Sequence, residues 1–108
     1  MEFGDILRDL RTKAGLGIKK LAPELDVTYS YISKLENKDL RPSEEFIQRV
    51  AEYFGYDNDR LLLAAGRVPA EVLEILREHP EEAVEFLREH FGRRRNERST
   101  TRSLSKNH

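Results

Sequence analysis

The chain has 108 residues, 38% hydrophobic and 36% charged, which suits one small domain with an appendage rather than several domains. It has no cysteine, so disulfides and thiolate metal sites are excluded. With no apolar run near the ~20 residues that span a bilayer and no charged-then-apolar leader, a soluble cytoplasmic protein is expected. The net charge of -1 is uneven: residues 1–50 carry 0, residues 51–92 carry -6 and residues 93–108 carry +5, so a basic footprint for nucleic acid has to be local.

The first helix is predicted over about Glu2 to Ala14. Phe3, Ile6, Leu7, Leu10 and Ala14 form its inner stripe, and Gly15 stops it in a left-handed conformation. The second spans about Ile18 to Leu25 with Leu21, Ala22 and Leu25 inward. Its interior Pro23 removes one backbone hydrogen bond and should bend or tighten it. A turn at Asp26-Val27 leads to a third helix over about Thr28 to Asn37, with the Thr28 hydroxyl as its N-cap. Ser43 caps a fourth, where Glu44 and Glu45 sit favourably at the positive end of the dipole. Phe46, Ile47, Val50, Ala51 and Phe54 line its inner face, and Gly55 ends it. A shorter fifth helix covers about Asn58 to Ala65.

Residues 71–80 and 82–91 then form an eleven-residue repeat, EVLEILREHP beside EAVEFLREHF. Pro69 and Pro80 open its two helices, and Gly92 ends the second. Its apolar side chains exceed what one small domain needs to seal its base. Two readings stand: the pair caps the five-helix core, or it is a dimerisation element using Val72, Leu76, Val84, Leu87 and Phe91. The segment from Arg93 onward, RRRNERSTTRSLSKNH, is nearly devoid of apolar groups and is expected to be a disordered basic tail. Such a tail either aids solubility or adds sequence-independent phosphate contacts. The predicted organisation is therefore a domain over 1–66, a helical extension over 67–92 and a tail over 93–108.

The third helix carries the functional signal. At ~100° per residue, Ile32 and Leu35 fall on one side, with Val27 just before them. Ser30, Ser33, Lys34 and Asn37 share the opposite side at i, i+3, i+4 and i+7, a small, hydrogen-bonding, cationic stripe. A helix bearing such a stripe fits a DNA major groove, where Lys meets guanine acceptors and Ser either kind of base. Around it lie Lys19, Lys20, Lys34, Lys38 and Arg41. On its own an exposed stripe of this kind is more often a solvated face; the surrounding pattern of helices is what favours recognition.

Several further pieces sit at matching places: Leu10-Arg11 to Gly15-Leu16, Leu21-Ala22, Val27-Thr28, the run Ser30-Tyr31-Ile32-Ser33-Lys34-Leu35-Glu36-Asn37, Arg41-Pro42-Ser43, Ala51 and Leu61-Leu62. With them the chain resembles, over roughly Phe3 to Leu63, the phage repressor and Cro-like helix-turn-helix regulators. The resemblance implies an all-α fold: a five-helix repressor-like helix-turn-helix domain followed by the two-helix extension. It also implies a sequence-specific transcriptional regulator, a repressor or autoregulator of bacterial or phage origin, binding double-stranded DNA as a homodimer at an inverted-repeat operator. Base contacts are then expected from Ser30, Ser33 and Lys34, with Tyr29 on the flank. Phosphate contacts are expected from Lys19, Asn37, Lys38 and Arg41. Tyr31 should pack beside the first helix or touch the DNA backbone. Arg11 and Glu36 stand where the family often places a scaffold ion pair. Two positions depart from the family's pattern: Ile18 replaces a backbone-binding Gln, and Asp26 replaces a turn Gly.

The rival reading is a protein-interaction module, such as an antitoxin or partner-docking regulator using the acidic C-terminal helices. Enzymatic chemistry has no constellation behind it. His79, His90 and His108 form no ligand pairing, no glycine-rich phosphate loop occurs, and neither a metal nor a cofactor is expected.

Overall fold

The computed structural model describes residues 1–92 of the chain; the expected tail over 93–108 lies outside the described residues. Seven helices and no strand occur among the described residues. They are α1 (Phe3–Lys13), α2 (Ile18–Glu24), α3 (Tyr29–Glu36), α4 (Glu44–Phe54), α5 (Asn58–Ala64), α6 (Ala70–Glu78) and α7 (Pro80–Phe91). The chain divides into two compact units, Met1–Pro69 and a second beginning at Ala70.

In the first unit α1 packs on α3 and α5, α2 packs on α3, and α4 packs on α5. Leu7, Leu21, Leu25, Ile32, Leu35, Phe46, Ile47, Val50 and Leu61 are almost wholly removed from water. Every helix of the five contributes to this one core, which is why none needs strong intrinsic propensity. An aromatic ladder crosses it: Phe46 meets Phe3 edge-on at 6.2 Å and Tyr31 at 5.1 Å. Tyr31 therefore packs edge-on against Phe46 of α4, at the border of the core. Ala14, expected in the inner stripe of α1, is instead exposed, because the helix ends at Lys13 before its last turn returns to the core.

Caps match the local chemistry. The Thr28, Ser43 and Asp57 side chains accept from the backbone N–H groups of Tyr31, Phe46 and Arg60, satisfying donors orphaned at the starts of α3, α4 and α5. Asp5 accepts from the Glu2 N–H at the start of α1. The helix ends of this unit are equally uniform. After each of the five, a residue at positive φ turns the chain back: Gly15, Asp26, Lys38, Gly55 and Gly66. In each case the following N–H bonds a carbonyl five residues back, such as Val27 to Ala22 at 3.0 Å and Asp39 to Lys34 at 2.8 Å. Glycine does this without strain at three ends. Asp26 and Lys38, which bracket α3, do it against the side-chain penalty of the left-handed region.

Pro23 lies inside α2, as expected, and the helix tightens after it. The Leu25 N–H is shared between the Leu21 and Ala22 carbonyls at 3.1 and 3.2 Å. This compresses the last turn and brings α2 promptly to the Asp26 turn.

In the second unit α6 and α7 pack on each other and are joined through the single residue His79. Pro80 stands at the first helical position of α7, where it has no N–H to waste. Neither helix has a buried residue.

Candidate nucleic-acid interface

The outward face of α3 is defined by what holds its inward face. Ile32 and Leu35 plug into the core, and Glu36 is buried beside them. A carboxylate in that place requires compensation. Arg11 supplies it by donating from Nε to Glu36 Oε2 at 2.7 Å and from Nη2 to Oε1 at 2.9 Å, a two-pronged pair. Arg8 adds Nε to Oε1 at 3.3 Å, and the Arg11 Nη1 donates to the Leu16 carbonyl at 2.9 Å. The hydrogen bonds that Arg11 donates to Glu36 raise its pKa above its ordinary value, against the opposing effect of burial. This network ties α1, the α1–α2 connection and α3 into one frame, as the Arg11 and Glu36 positions suggested.

Three further fastenings were not anticipated. Gly4 in α1 faces the last turn of α3 so closely that a methyl there would run into the Leu35 carbonyl oxygen and stand 3.3 Å from the Glu36 Cα. A glycine within an otherwise apolar inner stripe is the signal that marks such an approach. Arg49 of α4 donates from Nη1 to the Leu25 carbonyl, sealing the end of α2. The Lys38 Nζ sits 3.0 Å from Asp5 Oδ1, linking the end of α3 to the start of α1. The hydrogen bond from Lys38, then that from the Glu2 backbone, holds the Asp5 carboxyl below its ordinary value.

With α3 fixed on its inner side, Tyr29, Ser30, Lys34 and Asn37 are exposed, and Ser33 is half-buried among them. The structure thus brings the four expected base-contact residues onto one open surface of one helix. Lys19 and Arg41 are exposed too. Lys38 differs from the other expected phosphate residues, because its ammonium is already drawn to Asp5. The residues expected to serve dimerisation, Val72, Leu76, Val84, Leu87 and Phe91, lie on α6 and α7 of the second unit. The Ile18 position opens α2 behind its N-cap Gly17 and is partly buried against the core, so its side chain serves packing.

Among the described residues no helix is long and apolar enough to cross a membrane. No group of three or more His, Asp and Glu residues able to hold a metal ion occurs among them.

A comparison with curated proteins gave no match. A helix-turn-helix family model matches residues 7–59, a segment that runs from within α1 into α5 and includes the Glu36 frame and the open face of α3. The domain containing residues 7–59 accordingly belongs to the helix-turn-helix family of Cro and repressor type, a family of DNA-binding transcription regulators.

Proposed function

We propose that the protein is a sequence-specific repressor or autoregulator that binds an inverted-repeat operator as a homodimer. The observation that carries the reading is the open polar face of α3, held rigidly by a buried ion pair on its other side. Ser30, Ser33 and Lys34 contact base edges, with Lys34 directed to guanine acceptors and the Tyr29 ring at a thymine methyl or its hydroxyl at a phosphate. Lys19, Asn37 and Arg41 hold the phosphate backbone and set the register. Lys38 joins them by exchanging Asp5 for a phosphate oxygen.

Two such faces related by a twofold axis meet successive major grooves when their half-sites lie one turn apart, ~34 Å, or a multiple of it. Selection of bound duplexes from random DNA tests this directly. Inverted repeats at that spacing are expected. Enrichment of unrelated sequences, or of nothing beyond the starting pool, contradicts sequence-specific binding, and enrichment of isolated half-sites contradicts the dimer.

A further inference from the structure

We infer that Asp5 is a positioning residue for DNA binding: its carboxylate competes with the phosphate backbone for the Lys38 ammonium and so holds down affinity for duplex of any sequence. The inference rests on the reading of Lys38 as a phosphate contact and adds the group that regulates it. It needs neither an operator nor a dimer.

Of Lys19, Lys20, Lys34, Lys38 and Arg41, only Lys38 has a carboxylate within ion-pair distance among the described residues. Its Nζ lies 3.0 Å from Asp5 Oδ1, and the two side chains are 47% and 37% exposed, open enough for a phosphate to intervene. The other Asp5 oxygen, Oδ2, accepts from the Glu2 N–H at 3.2 Å. The carboxylate is thereby tied to the start of α1, and the flexible stem of Lys38 is the partner able to leave.

Backbone sets the meeting of the two groups. Gly4, beside Asp5, admits the close approach of α1 to the Leu35 carbonyl and the Glu36 Cα. Across that contact Lys38 stands at φ 66, its N–H on the Leu35 carbonyl at 3.1 Å. Glycine would hold this left-handed turn without a side-chain penalty. Of the positive-φ residues that follow the five helices of this unit, only Lys38 carries a positive charge. It also directly follows Asn37, the last residue of the open face of α3. A strained backbone position that keeps a cation at the rim of the binding face is accounted for by a contact made there.

The consequence is an exchange. Docking on DNA breaks the Asp5 pair, forms a phosphate pair and releases a counterion from the duplex. It also leaves a bare carboxylate beside the strand, inside the ~8 Å over which charges still act at physiological salt. An exposed ion pair is weak, so removing the competitor should strengthen binding by about two- to fivefold. Stability moves the other way, because the same pair supports the free fold.

The test is fluorescence anisotropy of the full chain on a short random-sequence duplex, from about 50 to 200 mM salt. It compares wild type, Asp5→Asn, Lys38→Ala and the double variant, with folding checked by circular dichroism. Asp5→Asn should bind about two- to fivefold tighter while melting at lower temperature, whereas a merely structural role would lower both. Lys38→Ala should bind more weakly, with a salt slope smaller by about 1. In the Lys38→Ala background the gain from Asp5→Asn should vanish. A gain that persists there in full overturns the inference, since the carboxylate would then act by general repulsion. A loss on Lys38→Ala without any gain on Asp5→Asn overturns it too and leaves the phosphate reading of Lys38 standing. Indifference to Lys38→Ala overturns both.

Discussion

Replacing Gly4 by Ala is the sharpest test of how the fold positions α3. The added methyl points at backbone, the Leu35 carbonyl and the Glu36 Cα, so no flexible side chain can swing aside. Alanine gains at most about 1 kcal/mol of helix propensity over glycine. Overpacking a tight site costs typically about 1–3 kcal/mol, and a backbone obstacle belongs in the upper part of that range. The net expectation is a loss of about 1–2 kcal/mol. For a domain of this size each kcal/mol lowers Tm by about 4–8 °C, so thermal unfolding followed by circular dichroism should shift down by about 5–15 °C. Because relief comes by moving α3 away from α1, the Glu36 pairs lengthen as well, and DNA affinity falls further than Tm alone accounts for. An unchanged or higher Tm would refute the close approach and with it the rigid seating of the helix.

Three other outcomes follow from the same frame. Glu36→Ala leaves the guanidinium of Arg11, whose side chain is only 13% exposed, without its carboxylate, so a destabilisation of about 3–5 kcal/mol is expected in urea titration. A loss under about 1 kcal/mol would show the pair to be dispensable. Thr28→Ala removes the hydroxyl that accepts from the Tyr31 N–H and should cost about 1 kcal/mol, with the loss of helical signal confined to α3 by hydrogen exchange. Asp5 titrates below its ordinary value of 3.8 because Lys38 favours its charged form. Its contribution to stability is therefore present above the unfolded-state pKa and lost as pH falls through the lower folded one. Wild type should exceed Asp5→Asn in stability at about pH 6, and the gap should narrow as pH falls below the ordinary carboxylate range of about 3.9. A gap independent of pH removes the ion pair from the account.

What could be read in advance divides by the range over which each signal acts. The stripe of α3 follows from helical phase alone: Ile32 and Leu35 are buried, and Ser30, Lys34 and Asn37 are open. Caps are local as well, which is why Thr28, Ser43 and Gly55 act as expected. The Arg11–Glu36 pair joins residues 25 positions apart, and only resemblance to other chains pointed to it. Contacts between distant residues without such a guide were out of reach. Nothing near Lys38 signals either its left-handed backbone or its attachment to Asp5, because both are imposed by how α3 ends against α1. Arg8 joining Glu36, and Arg49 capping α2, are tertiary in the same sense. Tyr31 was expected beside the first helix or on the DNA backbone, and nothing local reveals that Phe46 of α4 meets its ring.

Lys34 provides the most direct measurement of the central claim. On a selected operator, Lys34→Ala should weaken binding by about 1–3 kcal/mol and relax the base preference at one position of each half-site. Binding to scrambled duplex should change far less. Equal losses on operator and scrambled DNA would place Lys34 on the phosphate backbone and contradict base reading by the open face of α3.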